Sequence, residues 1–380
     1  MHHFRHIIVQ LLVGGLAVCL FFIGYGGRAY GQSGHDQGSH DQGGHAQPGL
    51  DAYLSAHAYP FTLDSGFDAR TRDSLRHRLQ GYRLILQAEG GSHDLSIYTR
   101  LPLLWIAYLN QQFGLRHFFL EAGHGSDVLE RQYLRTEDSA FILVRDKAFW
   151  KGLYAYDQSL PEDRRVLPGG GVDFERARTC IPALKLLWKQ TRALPDVLRT
   201  SDRLLADAPD TTRDCDTLLA LLKALNRECT RFEPQFREYL GSAYGDFADM
   251  VRNPGSCKDV FRNRNGHMAS RLLDFAAREG DPLYYGEFGE AHTVLHTKAS
   301  LAHLVNEAPG WEGRVCTVNL YCYQCTADES VNNWPLKPLE ADILEHCLPL
   351  CNGPFTLFDV SGLSRFSAYG AFLIVARGQR

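Results

Sequence analysis

The sequence predicts an α/β fold: a mainly parallel sheet flanked by helices, with a helical insertion. Three observations lead there. From Leu50 onward, apolar strand-like runs alternate with helix-patterned runs, the order that builds parallel strands joined by helices. The two clearest strand-like runs, Tyr82–Ala88 and Pro282–Tyr285, are followed by turns of one layout, Gly90-Gly91-Ser92-His93 and Gly289-Glu290-Ala291-His292. Between about 176 and 250 only helix patterns remain. With 380 residues, 44% of them hydrophobic and 22% charged, the chain can bury a sizeable core.

The N-terminus reads as a targeting segment. Met1–His6 is a short basic lead, and Ile7–Ile23 is an apolar run broken only by Gln10 and glycines. Ala29-Tyr30-Gly31 supplies small residues at signal-peptidase spacing, which predicts a signal peptide over 1–31 and cleavage before Gln32. The apolar run is long enough that an uncleaved anchor stays open. A lipobox at Leu16-Ala17-Val18-Cys19 is disfavoured by Val18 and by the apolar residues beyond it. The expectation is an exported protein, periplasmic or secreted, with no stable membrane span once the signal is removed. Residues 32–49 then form a disordered His/Gly-rich linker, with His35, His40 and His45 in register. So polar a stretch buries too little to fold, and a solvated tether is preferred to metal capture.

The α/β domain is placed over 50–380. Ser74–Leu79 is helix-patterned, Tyr82–Ala88 is a buried strand, and Ser96–Phe113 is a helix stopped by Gly114. His117–Leu120 is the next strand, ending at Glu121-Ala122-Gly123-His124-Gly125. Together these form a β-α-β unit with parallel strands. A turn and short strand follow over Leu167–Asp173, and then the helical insertion over about 176–250. Val260–Arg278 and Ala299–Asn306 are helices and Val315–Cys322 is a strand. Ala341–His346 is helical, and Phe355–Val360 and Ala371–Ala376 are closing strands.

A net charge of -4 and a pI near 6.5 exclude an electrostatic nucleic-acid binder and a polybasic membrane anchor. The partner expected is a small-molecule substrate. Of ten cysteines, Cys19 leaves with the signal. Cys316, Cys322, Cys325, Cys347 and Cys351 admit disulfides or free core thiols. A zinc site built on Cys322, Cys325, Cys347 and Cys351 has poorer spacing and a strand in the way.

Ligands in open α/β sheets sit beyond the carboxyl ends of the strands, and that rule selects the candidate residues. His93 and His292 end the paired turns, and histidine titrates where water activation or metal binding needs it. Glu290 beside His292 can orient an imidazole or bind a cation. Glu121 ends the second strand and points at the same crevice if its strand neighbours that of His93. His124 in the same loop is a weaker candidate, and His296 reads as a surface residue. Arg264 heads a helix near the sheet edge, where a guanidinium stabilises an oxyanion or a carboxylate. No G-x-S-x-G elbow, phosphate loop, dinucleotide fingerprint or H-E-x-x-H is present, so activated water is favoured over a serine nucleophile.

In this order the segments resemble the erythromycin esterase-like family. Leu84–His93 resembles its first strand and Gly-Glu-x-Thr-His signature, and Phe113–Glu121 its second strand. Arg264–Ala269 is similar to its Arg-Asp-x-x-Met-Ala helix, and Gly289–His292 to its second histidine strand. Two departures stand out: Gly90 replaces the first signature's glutamate, with Glu89 displaced by one, and Arg271 stands where that helix carries asparagine. The resemblance implies a metal-independent esterase site with no cofactor. His93 would be the base for water, and His292, Glu121 and Arg264 would bind and polarise the substrate. The paired Gly-x-x-His turns also resemble metalloproteases, which leaves open a divalent metal on His93, His292 and Glu290. A non-catalytic haem- or ligand-binding protein is the third reading.

Overall fold

The computed structural model describes residues 49–89, 97–143, 147–209, 214–253, 260–323, 344–364, 366 and 370–377. The signal peptide of 1–31, the linker as far as Pro48, and His93 with its Gly90-Gly91-Ser92 turn lie outside the described residues, as does Cys325.

Among the described residues, eight strands form one sheet. They are β1 (Ala58–Phe61), β2 (Leu84–Glu89), β3 (His117–Leu120), β4 (Leu167–Pro168), β5 (Tyr284–Gly289), β6 (Val315–Tyr323), β7 (Phe355–Asp359) and β8 (Phe372–Arg377). Their order across the sheet is β1-β7-β8-β6-β2-β5-β3-β4. The pairs β2/β5, β2/β6, β3/β4, β3/β5 and β6/β8 are parallel, and only the β1–β7–β8 edge is antiparallel. The predicted mainly parallel α/β sheet is what the chain adopts. Among the described residues no helix is long and apolar enough to cross a membrane.

The strands are near-continuous apolar runs because both faces of the sheet are covered. Side chains alternate between faces. Ile85, Phe118, Leu120 and Tyr285 join one core with the helix Ile97–Phe113 and its Trp105. Leu84, Leu86, Phe119 and Tyr284 join another with Met268 and Leu272 of the helix Val260–Glu279. The helical insertion has its own core, built by helices Ala177–Trp188, Arg199–Asp207, Cys215–Arg231, Glu233–Leu240 and Tyr244–Arg252 around Trp188, Phe236 and Phe247. That core closes onto Val128 and Leu129 of the helix His124–Thr136.

The topology differs from expectation at the centre. β2 and β3 are parallel, but β5 lies between them, with Leu86 and Phe119 both opposite Gly286. The two strands of the first β-α-β unit are therefore not neighbours. The carboxyl ends of β2, β5 and β3 still share one edge of the sheet, since all three run parallel. Cys316, Cys347 and Cys351 are buried free thiols, so no disulfide joins these three. Burial pushes the Cys347 thiol up to about 12, which keeps it protonated and inert.

Candidate functional site

The site is assembled at that edge. Glu121 follows the last residue of β3, where a tight turn from the Ala122 N–H to the Leu120 carbonyl (2.7 Å) takes the backbone out of the sheet. Its Oε2 accepts the Gly289 N–H at 2.9 Å, and its Oε1 accepts an Arg264 Nη2 hydrogen at 2.5 Å. Gly289 ends β5, and the short helix Glu290–Thr293 that follows presents His292. His292 Nε2 lies 3.6 Å from Glu121 Oε1. Three residues predicted from sequence, Glu121, Arg264 and His292, thus come together from three separate elements. Glu290 heads the short helix and is half-buried, while His296 is exposed.

Arg264 owes its position to a break in its helix. Asn263 departs from helical geometry (φ -148, ψ 30), so Arg264 and Asn265 begin a fresh turn beside the strand ends. Asp173 grips the guanidinium through two hydrogen bonds, Nε to Oδ1 at 2.9 Å and Nη2 to Oδ2 at 2.6 Å, the paired geometry that fixes a guanidinium plane. Asp173 comes from the loop after β4, whose Gly171 has φ +49; a Cβ there would lie 2.2 Å from the His124 nitrogen. Only glycine lets this loop pass so close, and the Asp173 N–H then donates to the Ala122 carbonyl at 3.0 Å.

The side chains of His292, Arg264 and Glu121 keep 14%, 19% and 26% of their surface open, whereas Asp173 keeps 3%. The first three are reachable from solvent and the fourth is not. Burial pushes the Glu121 carboxyl up, but the hydrogen bond and charge of His292, the Arg264 charge and the Gly289 N–H outweigh it, and its pKa falls to about 2. Glu121 is therefore a fixed anion at neutral pH and not a proton donor. The Asp173 bonds hold the Arg264 pKa above its ordinary value, so this group is a fixed cation. Its Nη1 makes no bond among the described residues and is the donor left for a ligand.

His124 is not part of this group. Its ring is buried, with Nδ1 2.8 Å from the Gly170 carbonyl and Nε2 2.9 Å from Asp246 Oδ1, facing the helical insertion. His267, one turn beyond Arg264, stacks on Phe174 at 4.5 Å; burial and then Arg271 lower its pKa, which favours a neutral ring. Sequence reasoning named Asp173 only as part of a turn and Asn265 only as part of a motif. Among the described residues no group of three or more His, Cys, Asp or Glu side chains could hold a metal ion.

No family model matches the chain, and no curated protein matches it in sequence. Its fold is nonetheless shared with solved structures. A mutant of the erythromycin esterase EreC in its open conformation matches with a TM-score of 0.57 at 10% identity, over 83% of this chain and 96% of that one. A succinoglycan biosynthesis protein matches with a TM-score of 0.61 at 12% identity, over 88% and 97%. A Bacillus cereus protein matches with a TM-score of 0.58 at 11% identity, over 86% and 96%. At such identities the likeness shows the fold, which is the erythromycin esterase-like fold expected from the motifs.

Proposed function

We propose that this protein is an exported hydrolase of the erythromycin esterase type, cleaving an ester or related acyl bond of a small molecule with water activated at His93. The observation that carries the reading is the convergence of Glu121, Arg264 and His292 at the strand ends, open to a ligand and backed by a buried carboxylate. His93 lies four residues beyond the end of β2, the strand that shares this edge. The reaction needs no group beyond water. His93 takes a proton from water, whose oxygen bonds to the acyl carbon while the carbonyl π electrons move onto oxygen. Arg264 Nη1 offers the donor for that developing charge. Collapse breaks the acyl C–O bond, and the alcohol leaves with the proton held by His93. Glu121 and His292 orient the attacking water or a substrate hydroxyl.

The test uses the full chain and 4-nitrophenyl esters of short acids. His93→Ala and His292→Ala are each expected to lower kcat/KM by about 100-fold or more, the usual weight of a positioned acid–base group. Full activity in both variants overturns the reading. Loss of turnover to a chelator, with stoichiometric metal in the protein, replaces it with metal-dependent hydrolysis on His93, His292 and Glu290. A saturable Soret shift with haem and no turnover replaces it with a binding protein. Export is tested by the mature N-terminus, expected at Gln32.

A further inference from the structure

We infer that Asn265 is a positioning residue that fixes the His292 ring, its amide oxygen taking the Nδ1 hydrogen so that Nε2 is turned toward Glu121. A backbone carbonyl can only accept a hydrogen bond, so the Asn265 atom lying 2.6 Å from the Ala299 carbonyl is its NH2. The amide oxygen therefore faces His292 Nδ1, at 2.5 Å. An amide oxygen is also acceptor-only, and Nδ1 must carry the hydrogen between them. The Ala299 carbonyl is itself anchored. Ser300 donates through its hydroxyl to the Val294 carbonyl at 2.6 Å, through its N–H to the Thr297 carbonyl at 2.7 Å, and caps the helix Leu301–Asn306.

Free histidine prefers the Nε2–H form, so the protein reverses the ring's own preference. The consequence is specific. Nε2 is turned to Glu121 Oε1, 3.6 Å away, at the open side of the site. An amide at position 265, unlike the aspartate of the resembled signature, orients the ring through a neutral acceptor. Only the kinetic consequence rests on the hydrolase reading; the tautomer does not.

The experiment is a two-bond 1H–15N correlation on the 15N-labelled full chain, with His292 assigned through His292→Gln. The wild type is expected to show a protonated Nδ1. Asn265→Leu is expected to revert to Nε2–H or a mixture, and to lose about tenfold or more in ester hydrolysis. Asn265→Asp is expected to keep the Nδ1–H bond, because a carboxylate oxygen at this position still accepts, and to retain most of the ester hydrolysis that Asn265→Leu loses. An Nε2–H pattern in the wild type overturns the inference, as does an unchanged pattern in Asn265→Leu. If that variant fails to fold, the wild-type spectrum and Asn265→Asp decide alone. Should the wild type show Nδ1–H while His93→Ala and His292→Ala both keep full activity, the proposed site falls and the assignment of the Nδ1 hydrogen stands.

Discussion

Asp173 has no route to a ligand, yet the aim of Arg264 depends on it. Its carboxylate is buried and bonds two edges of the guanidinium, leaving Nη2 to bridge onward to Glu121. Removing that charge leaves a half-buried cation with one carboxylate in place of two. Asp173→Asn is expected to cost about 3 kcal/mol in denaturant unfolding, the scale for breaking a buried ion pair. It should also lower kcat/KM for ester hydrolysis, because the Nη1 donor loses its fixed plane. A cost below about 0.5 kcal/mol would show that Glu121 alone suffices. At this scale the sequence was legible where chemistry follows a strand or heads a helix, as at Glu121, Arg264 and His292. Asp173 was not, because it follows a two-residue strand and three glycines and belongs to no periodic pattern. Asn265 was visible as a letter in a motif, but its task depends on the Ala299 carbonyl, 34 residues away.

The helix His124–Thr136 shows how an element holds the site, and also what sequence patterning missed. Residues 121–125 read as a loop because of Gly123 and Gly125, yet Gly125 already lies inside the helix. The glycine is required by packing. A Cβ at position 125 would sit 2.6 Å from the Cys180 Cα and 2.9 Å from its nitrogen, backbone atoms that cannot swing aside. The helix start is held by Glu175, whose carboxylate accepts the His124 and Gly125 N–H groups at 2.8 and 3.1 Å. Since Glu121 lies three residues before this helix, displacing the helix displaces the carboxylate. Gly125→Ala is expected to destabilise by about 2 kcal/mol, in the range of overpacked cores, and to reduce ester hydrolysis in step. Normal stability together with normal activity would show that the two helices separate without moving β3. Strands β3 and β6 were legible almost to the residue because they are short apolar runs between turns. β5 was read only as far as Tyr285, since Gly286 and the buried Glu287 interrupt the apolar signal. Its place between β2 and β3 was beyond reach, because pairing across nearly two hundred residues leaves no local trace.

At the scale of the molecule, the helical insertion is joined to the sheet half partly by charge. Asp246, on the helix Tyr244–Arg252, accepts from His124 Nε2 at 2.9 Å and from Arg131 at 2.7 Å. The other His124 nitrogen faces the Gly170 carbonyl, so both ring nitrogens meet acceptors and the ring is held as an imidazolium. Burial opposes that charge, but the bond to Asp246 and the charges of Asp246 and Glu175 outweigh burial and the repulsion of Arg131, and the His124 pKa is raised. Asp246 responds in the opposite direction: burial raises it, and the His124 bond and Arg131 charge bring it well below the ordinary carboxylate range. A histidine whose pKa is raised by folding stabilises the native state fully below its unfolded value, about 6.5, and loses that contribution as pH climbs through the folded value. Asp246→Asn removes the partner and with it the pH dependence of this pair. The gap in unfolding free energy between wild type and Asp246→Asn is therefore expected to be about 3 kcal/mol near neutrality. It should narrow as pH rises above about 6.5 and through the raised folded value, as His124 gives up its proton in the wild type. Denaturant titrations of both proteins across that range measure the gap directly. A gap that stays constant would mean that His124 is neutral in the folded protein and that Asp246 contributes through Arg131 alone.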